Sequence, residues 1–430
     1  MKFISLFILL IFQVLCVSAA KKDDIAIIIT NTLATSRMPE MVELSEKEVR
    51  RKLEVNDDDA NIIITDAEGK EIPSQKTYDG KRIFLSPELK AKEKRIFHAR
   101  KAQSSDYAPR VFGRRYPERQ DDFSFENDRI AYRLYGPETQ KKGEKLYGYD
   151  LFNKRTTDLI LDELYADQTD SNMWKTFNRL KQKGMNSEAT ALYMAFCYHI
   201  DHGKGMDCYK VGPTLGAGTN ALISPSGISY PWCYTDLEIL DRGPLRLTVR
   251  LDYGTRLVEG VKVAEQRILT IDAGSNMVKA EVSYTTPKAT CLPDDVKVCC
   301  GIVVHNENPE AYILDHENGT MAYEDLGDVN VAWDGFRERQ AKVMGKIFVG
   351  TYVPAGKVQM EMLADKKVGG AKGHVITSVK LADNNHFTYY FGSGWDRNPS
   401  TSFRDINLWA QYLKTFASQK RVPLMIRIKQ

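Results

Sequence analysis

The sequence predicts a mainly β protein: a small N-terminal β-sandwich within residues 21–120, then a larger body of packed antiparallel sheets over residues 121–430, with a short helical insert and a late C-terminal helix. Three observations predict it. Residues 24–103 alternate apolar and polar positions in short runs separated by turn residues. From residue 123 onward the runs lengthen and turn β-branched, with no helical pattern between successive runs, as parallel strands would need. Only two stretches carry apolar residues at helical spacing.

Residues 1–20, "MKFISLFILLIFQVLCVSAA", combine one lysine, an apolar core and small residues at Ser18, Ala19 and Ala20. That is the layout of a signal peptide, so the mature chain is expected to begin near Lys21, in the periplasm or outside the cell. The apolar run falls short of the roughly 20 residues a bilayer span needs, and no later segment reaches that length. Cys16 raises a lipoprotein alternative, but Gln13 and Leu15 occupy positions where a lipobox requires an aliphatic and a small residue.

The remaining length suits two domains by the usual range of about 100–200 residues each. A net charge of +3, spread without a block of one sign, argues against nucleic acid as a partner, and no protein partner is inferred. "KAKEKRIFHARK" (90–101) is the most basic run and reads as a solvated strand pair or hairpin rather than a polyanion site. Of the 7 cysteines, Cys16 falls in the leader; Cys197, Cys208, Cys233, Cys291, Cys299 and Cys300 lack zinc spacing, and most of the six read as buried small apolar residues.

In the N-terminal part, "IAIIITN", "NIIITDAEGKEIPSQ", "KRIFLSP" and "EKRIFHAR" are strands, with Asp66 to Gly69 and Asp79-Gly80 as turns. The polar, Arg- and Pro-bearing segment 104–122 marks the domain boundary. Beyond it, 156–184 is the helical insert, with Leu159, Leu161 and Leu164 and then Trp174, Phe177 and Leu180 as its apolar faces. Seven strand-like runs follow, from "RLTVRLDYGTRLV" to "HFTYYFGSG". Residues 402–420 form an amphipathic helix, and "PLMIRIKQ" closes as a strand. No repeat of 20–50 residues is visible.

Candidate chemistry gathers in three places. In "FENDRIAYRLYGP", alternation puts Ile130, Tyr132 and Leu134 on one face and Arg129, Ala131, Arg133 and Tyr135 on the other. Planar guanidinium groups bind carboxylates in pairs of hydrogen bonds, so Arg129, Arg133 and Tyr135 suit an acidic sugar, with Glu126 and Asp128 at the strand's start. In "YGYDLFNKRT", Lys154 is the residue expected beside the Arg133 surface. The run "YHIDHGKGMDCYKVGPTLGAGTNAL" (198–222) is glycine-rich and brings His202, Asp207, Tyr209 and Lys210 into one loop. His199 and His202 lack a third ligand at fixed spacing, so no metal site is assigned, though a divalent ion such as calcium on surface carboxylates stays compatible and no other cofactor is expected. "GPTLGAG" has no lysine followed by serine or threonine and no βαβ context, which excludes a phosphate loop. Trp232 and Trp395 stand in polar, Gly- or Pro-rich loops and are candidate sugar platforms; Trp174 and Trp409 read as core, and Trp333 is unassigned.

The ordered motifs "PERQDDFSFENDRIAYRLYGPE", "GEKLYGYDLFNKRT", "DHGKGMDCYKVGPTLGAGT" and "LDRGPLRLTVRLDYG", with the opening "VNDDDANIIITDAEGKEIPSQKTYDGKRIFLSPELKAKEKRIFHAR", resemble the secreted bacterial family known as domain of unknown function 4861. The resemblance covers nearly the whole mature chain. It implies a galactose-mutarotase-like β super-sandwich for residues 121–430 and a setting in carbohydrate utilisation, near unsaturated-uronyl hydrolases and polysaccharide lyases. Lys204 departs from it, standing where an acid is expected.

Together these readings predict a secreted carbohydrate-active enzyme acting on uronate-containing oligo- or polysaccharides. In β-elimination, arginine or lysine neutralises the carboxylate, His202 or Tyr209 takes the C5 proton and a tyrosine protonates the leaving oxygen. The alternatives are hydrolysis, with Glu126 and Asp207 as the carboxyl pair, and a non-catalytic sugar-binding or epimerase-like auxiliary role.

Overall fold

The computed structural model describes residues 24–57, 60–287, 292–327, 344–356, 358–364, 370–380 and 385–430. The expected signal peptide, Cys291 and Trp333 lie outside the described residues. The N-terminal layer follows the alternation: Ile25, Ile27 and Ile29 of strand Asp24–Thr30 point inward and meet Val42, Leu44 and Phe84 of a three-stranded sheet built from Glu40–Ser45, Lys81–Ser86 and Ser74–Lys76. Asp24–Thr30 pairs on one side with Lys94–Lys101. On its other side it pairs with Met425–Lys429, the last strand of the chain, so this layer is completed only by the far end of the sequence.

The larger body is a super-sandwich of three antiparallel sheets. An eight-stranded sheet runs through strands Arg246–Val258, Val261–Asp272, Met277–Thr285 and His386–Trp395 at its centre. Opposite it stand two five-stranded sheets. One contains Val111–Tyr116, Asp122–Asn127, Ala131–Leu134, Asp150–Lys154 and Gly205–Met206; the other is centred on Ala217–Ser224, Lys297–His305 and Ala371–Lys380. A parallel bridge between Tyr149 and Gly216 joins these two sheets. One apolar core contains Tyr132, Leu151, Leu222, Ile302, Val249, Leu269 and Phe391, drawing on all three sheets.

Inside that core lies a buried charged group. Arg267 donates to Glu265 (2.7 Å) and to the Tyr149 hydroxyl (2.8 Å), and Asn220 donates to Glu265 (2.8 Å). One residue pair of the eight-stranded sheet thus holds a residue from each facing layer. Arg256 stands 2.7 Å from the other Glu265 oxygen, so the buried carboxylate is answered by two guanidinium groups, while one Arg267 nitrogen keeps no hydrogen-bond partner among the described residues.

The helical insert is longer than expected. Helices Leu161–Thr169 and Ser171–Gln182 fall in the predicted stretch, but a third, Asn186–Phe196, follows. It packs on its neighbour, with Phe196 and Tyr193 at 5.4 and 5.7 Å from the Trp174 ring, and so its sequence lacks the strong apolar stripe of a core-facing helix. The C-terminal helix Ile406–Arg421 begins at Asp405, which accepts from Asn407 N (2.8 Å) and Leu408 N (3.1 Å), and buries Trp409.

Glycine is required where the 198–222 run lies against the first five-stranded sheet. Gly216 has φ +55° and a β-carbon there would stand 2.3 Å from the Tyr149 carbonyl oxygen. Gly203, with φ +99°, faces open space. Gly216→Ala is therefore expected to lose about 2–4 kcal/mol in chemical denaturation, against about 1 kcal/mol for Gly203→Ala. Equal losses would contradict the close approach.

Candidate functional site

Alternation along Ala131–Leu134 sends Tyr132 and Leu134 into the sandwich core and Arg133 to the opposite face. Register then sets Asp150 directly across from Arg133. The guanidinium donates from Nε to Asp150 (2.9 Å) and from Nη2 to Asp207 (2.8 Å), with a second, shorter bond to Asp150; Tyr198 and Tyr135 hydroxyls each lie 3.2 Å away. The Tyr135 hydroxyl in turn donates to Asp150. Arg133, Tyr135 and Asp207 therefore do meet, but as a buried cluster whose charges satisfy one another. Arg133 is 4% exposed. Buried and paired with two carboxylates, Arg133 acts here as an anchor, with Tyr135 and Asp207 as its partners, in place of the substrate-binding roles expected of Arg133 and Tyr135 and the catalytic role expected of Asp207.

Two further expectations are corrected in the same way. Lys154 does not stand beside Arg133; its ammonium pairs with Glu126 and donates to the carbonyls of Asn127 (2.7 Å) and Asp158 (2.6 Å). Glu126 uses its other oxygen to accept from Ile160 N and Leu161 N, both at 2.7 Å, capping the first helix of the insert. Both side chains are sealed, which removes Glu126 as an acid or base and Lys154 as a substrate contact.

In the 198–222 loop, Asp201 accepts from Gly203 N (2.8 Å) and Gly205 N (3.1 Å) and pairs with Arg155, which fixes the turn. His202 is exposed, its Nε2 is 3.3 Å from the Cys197 carbonyl, and among the described residues no carboxylate pairs with it. Lys204 is exposed and pairs with Glu163. Tyr209 is different. Its ring is buried and its hydroxyl has no hydrogen-bond partner among the described residues.

Tyr209 stands edge-on to His305, with ring centroids 6.0 Å apart. His305 Nδ1 is 2.9 Å from Asp325, whose other oxygen accepts from the Tyr323 hydroxyl (3.2 Å), and the Tyr323 oxygen accepts from His305 N (3.0 Å). Burial pulls the imidazole pKa down, but the Asp325 carboxylate beside it outweighs that and the net shift is upward. Lys210 lies half-buried against Gly370, its ammonium 3.0 Å from where a β-carbon there would stand. Sequence reasoning missed His305 and Asp325. The available signal was a histidine and an acid each closing a long apolar strand, "VCCGIVVH" and "TMAYED".

The tryptophans divide. Trp395 is buried, its indole N–H donating to the Met344 carbonyl at 2.5 Å, so it is core rather than platform. Trp232 is 49% exposed. It forms an aromatic surface with Tyr147 (6.3 Å), which stacks on Tyr230 (5.3 Å); Tyr230 lies 6.0 Å from His374. His374 accepts from Leu215 N (3.2 Å), tying this surface to the same loop. Gly370 and His374 are four residues apart, at the start of the strand Ala371–Lys380. Arg129 does not share a face with Arg133; it lines a cleft against the C-terminal helix. Among the described residues no group of three or more His, Cys, Asp or Glu is placed to hold a metal ion, all described cysteines are free and buried, and no helix is long and apolar enough to cross a membrane.

These features define an antiparallel super-sandwich whose paired five-stranded sheets carry a loop fixed by a buried arginine. The chain belongs to the family described as Domain of unknown function (DUF4861), whose model matches residues 29–426. It is similar to "Uncharacterized protein P7" of Formosa agariphila, at 24% identity over 439 residues covering 96% of each chain. Among solved structures it aligns with an α-mannosidase from Enterococcus faecalis over 95% of its length (8% identity, TM-score 0.48) and with a protein in glycosyl hydrolase family 38 from the same species over 96% (9% identity, TM-score 0.47). It spans 46% and 48% of those two chains, about half their length.

Beneath Arg133 lies Asp122, fully buried, within 3.3 Å of the Tyr165 hydroxyl. Burial raises its carboxyl to about 6, with Arg133 and Arg119 opposing. Because the folded state keeps a proton that the unfolded chain loses near 3.8, this residue withdraws stability as pH rises from about 4 to 6. Asp122→Asn is expected to raise the unfolding free energy by roughly 1–3 kcal/mol above about pH 7 and to leave it unchanged near pH 4. Arg133→Met, which strands two buried carboxylates, should cost about 3–5 kcal/mol at neutral pH. An unchanged thermal midpoint would contradict the anchoring role.

Proposed function

We propose that the protein is an exported carbohydrate-active lyase that acts on uronate-bearing oligosaccharides by β-elimination. The observation that carries this reading is the placement of His305, oriented by Asp325, beside the unpartnered phenol of Tyr209. The Nδ1 contact to the carboxylate leaves Nε2 as the basic nitrogen, so His305 is the base for the C5 proton. Burial holds the Tyr209 phenol well above its ordinary pKa, so it stays protonated and serves as the acid. Lys210 supplies the charge that neutralises the uronate carboxylate. The C5–H bond breaks, its electron pair forms the C4=C5 double bond, the C4–O bond breaks, and the leaving oxygen takes the Tyr209 proton; proton return from His305 to Tyr209 resets the pair. Trp232, Tyr147 and Tyr230 offer flat faces for a neighbouring sugar ring.

Hydrolysis loses its support, because Glu126 and Asp207 are both engaged in ion pairs. Saccharide binding without cleavage is the second reading. The contrast between Trp232, 49% exposed, and His305 and Tyr209, each 5% exposed, favours it.

Incubation with uronate oligosaccharides is expected to produce the ultraviolet absorbance of an unsaturated uronate, and His305→Gln should abolish it. New reducing ends without absorbance would contradict elimination; retention on immobilised oligosaccharide with neither would favour binding alone. Trp232→Ala should weaken binding several-fold to about tenfold. The base must be neutral, so the rate should rise with pH through a value above the ordinary histidine pKa of 6.5, and Asp325→Asn should move that limb downward. The same raised pKa makes the His305–Asp325 pair stabilising below about pH 6.5 and lost as pH rises through the folded value.

A further inference from the structure

We propose that the cleft between the N-terminal layer and the C-terminal helix is a second ligand site, specific for a small hydroxyl-rich molecule carrying one carboxylate, with Arg129 as its anchor. The cleft is a cavity of about 260 Å³ walled by Met38–Met41, the 272–276 turn, residues 400–403 and the helix Ile406–Arg421. It shares no lining residue with Tyr209, His305 or Trp232. Other arginines nearby have carboxylate partners: Arg37 has Glu40, Arg110 has Asp128 and Arg246 has Asp272. Arg129 has neither a hydrogen bond nor an ion pair from its guanidinium among the described residues, and its Nε is buried. Arg129 is half-buried and its Nε is a donor withdrawn from water with nothing to bind, which is unfavourable; a group that accepts from a planar fork would answer it.

The rest of the wall narrows the chemistry. Lys420 adds a second positive charge, resting over the Phe416 and Tyr390 rings at 5.2 and 5.9 Å rather than on a carboxylate. The acids that reach the cavity, Glu40 and Asp272, are engaged by Arg37 and by Arg246, the latter shared with Glu43, and neither pairs with Arg129. Phe403, Tyr412 and Phe416 provide apolar ring surface, and the Tyr412 hydroxyl, which accepts from Asn276 N (3.2 Å), adds a polar group to the same wall. Ser402 adds a further hydroxyl at the exposed mouth. The volume lies just below the usual range for drug-sized ligands, which limits the occupant to about one ring. A free monosaccharide acid fits these terms, and the cleft sits between two layers of the fold, where its occupancy would bridge them.

The test uses the full-length protein with D-glucuronate and D-galacturonate as anionic probes and D-glucose as the neutral one, read by thermal shift and calorimetry. A ligand that binds only the folded state raises the midpoint with concentration. At least one uronate is expected to do so and glucose is not. Arg129→Ala should retain the ligand-free midpoint, since the side chain has no partner to lose, and weaken uronate binding by roughly tenfold to a hundredfold. Arg129→Lys, which keeps the charge and loses the fork, should give an intermediate loss. Trp232→Ala should leave the uronate shift intact, which separates this site from the proposed lyase site. A full uronate shift in Arg129→Ala, an equal shift with glucose, no shift with either uronate, or loss of the shift in Trp232→Ala would each overturn the proposal.

Discussion

The guanidinium of Arg133 holds the 198–222 segment to the sheet beneath it. Asp150 comes from the neighbouring strand and Asp207 from the loop, so one buried cation links a strand pair to a segment whose other ion pairs, Asp201 with Arg155 and Lys204 with Glu163, lie nearer the surface. Everything the loop presents further along depends on that link. Tyr209 and Lys210 follow Asp207 by two and three residues, and the chain then runs to Gly216, where the two five-stranded sheets meet. A charged anchor suits this task better than an apolar one because its geometry is directional: two carboxylates on one guanidinium set both the height and the register of the loop.

The glycine-rich character of the run has the same origin. Where the segment presses onto a strand backbone, at Gly205 and Gly216, there is no room for a β-carbon, whereas Gly203 and Gly212 face open space. Gly205 shows it most clearly, since a β-carbon there would stand 2.1 Å from the Asn153 carbonyl oxygen. The clustering of histidine, acid and glycine that makes the run conspicuous in sequence is therefore largely turn and contact chemistry, with Asp201 closing the bend and His202 left outside it. The residues with chemical potential are those just beyond, where an imidazole and a carboxylate from two other strands meet the Tyr209 ring.

What is legible in the sequence follows the range of the forces involved. The inward face of Ile130, Tyr132 and Leu134 is a local property of alternation and appears as expected. So do the turns at Gly69 and Gly80, both with positive φ, and the C-terminal helix. Partnerships are not local. That Arg133 is answered by Asp150, or Lys154 by Glu126, depends on strand register, and an exposed arginine and a neutralised one look the same in a single sequence. Pairing of Met425–Lys429 with Asp24–Thr30 spans almost the whole chain, and His305 meets Asp325 only because two long strands end at the same edge. Trp395 looks like a platform in the sequence because a Gly-rich neighbourhood resembles a loop, whereas it ends a strand with glycines where Phe403 and Asn276 press against it.

The central claim is that Arg133 organises the loop rather than the ligand, and hydrogen exchange tests it most directly. In Arg133→Met, under conditions where the protein stays folded, the amides of residues 198–216 should exchange much faster while those of Arg246–Val258 and Val261–Asp272 keep their native protection. Unchanged protection across 198–216 would show that the loop holds its place without the buried cation, and would contradict the organising role of Arg133.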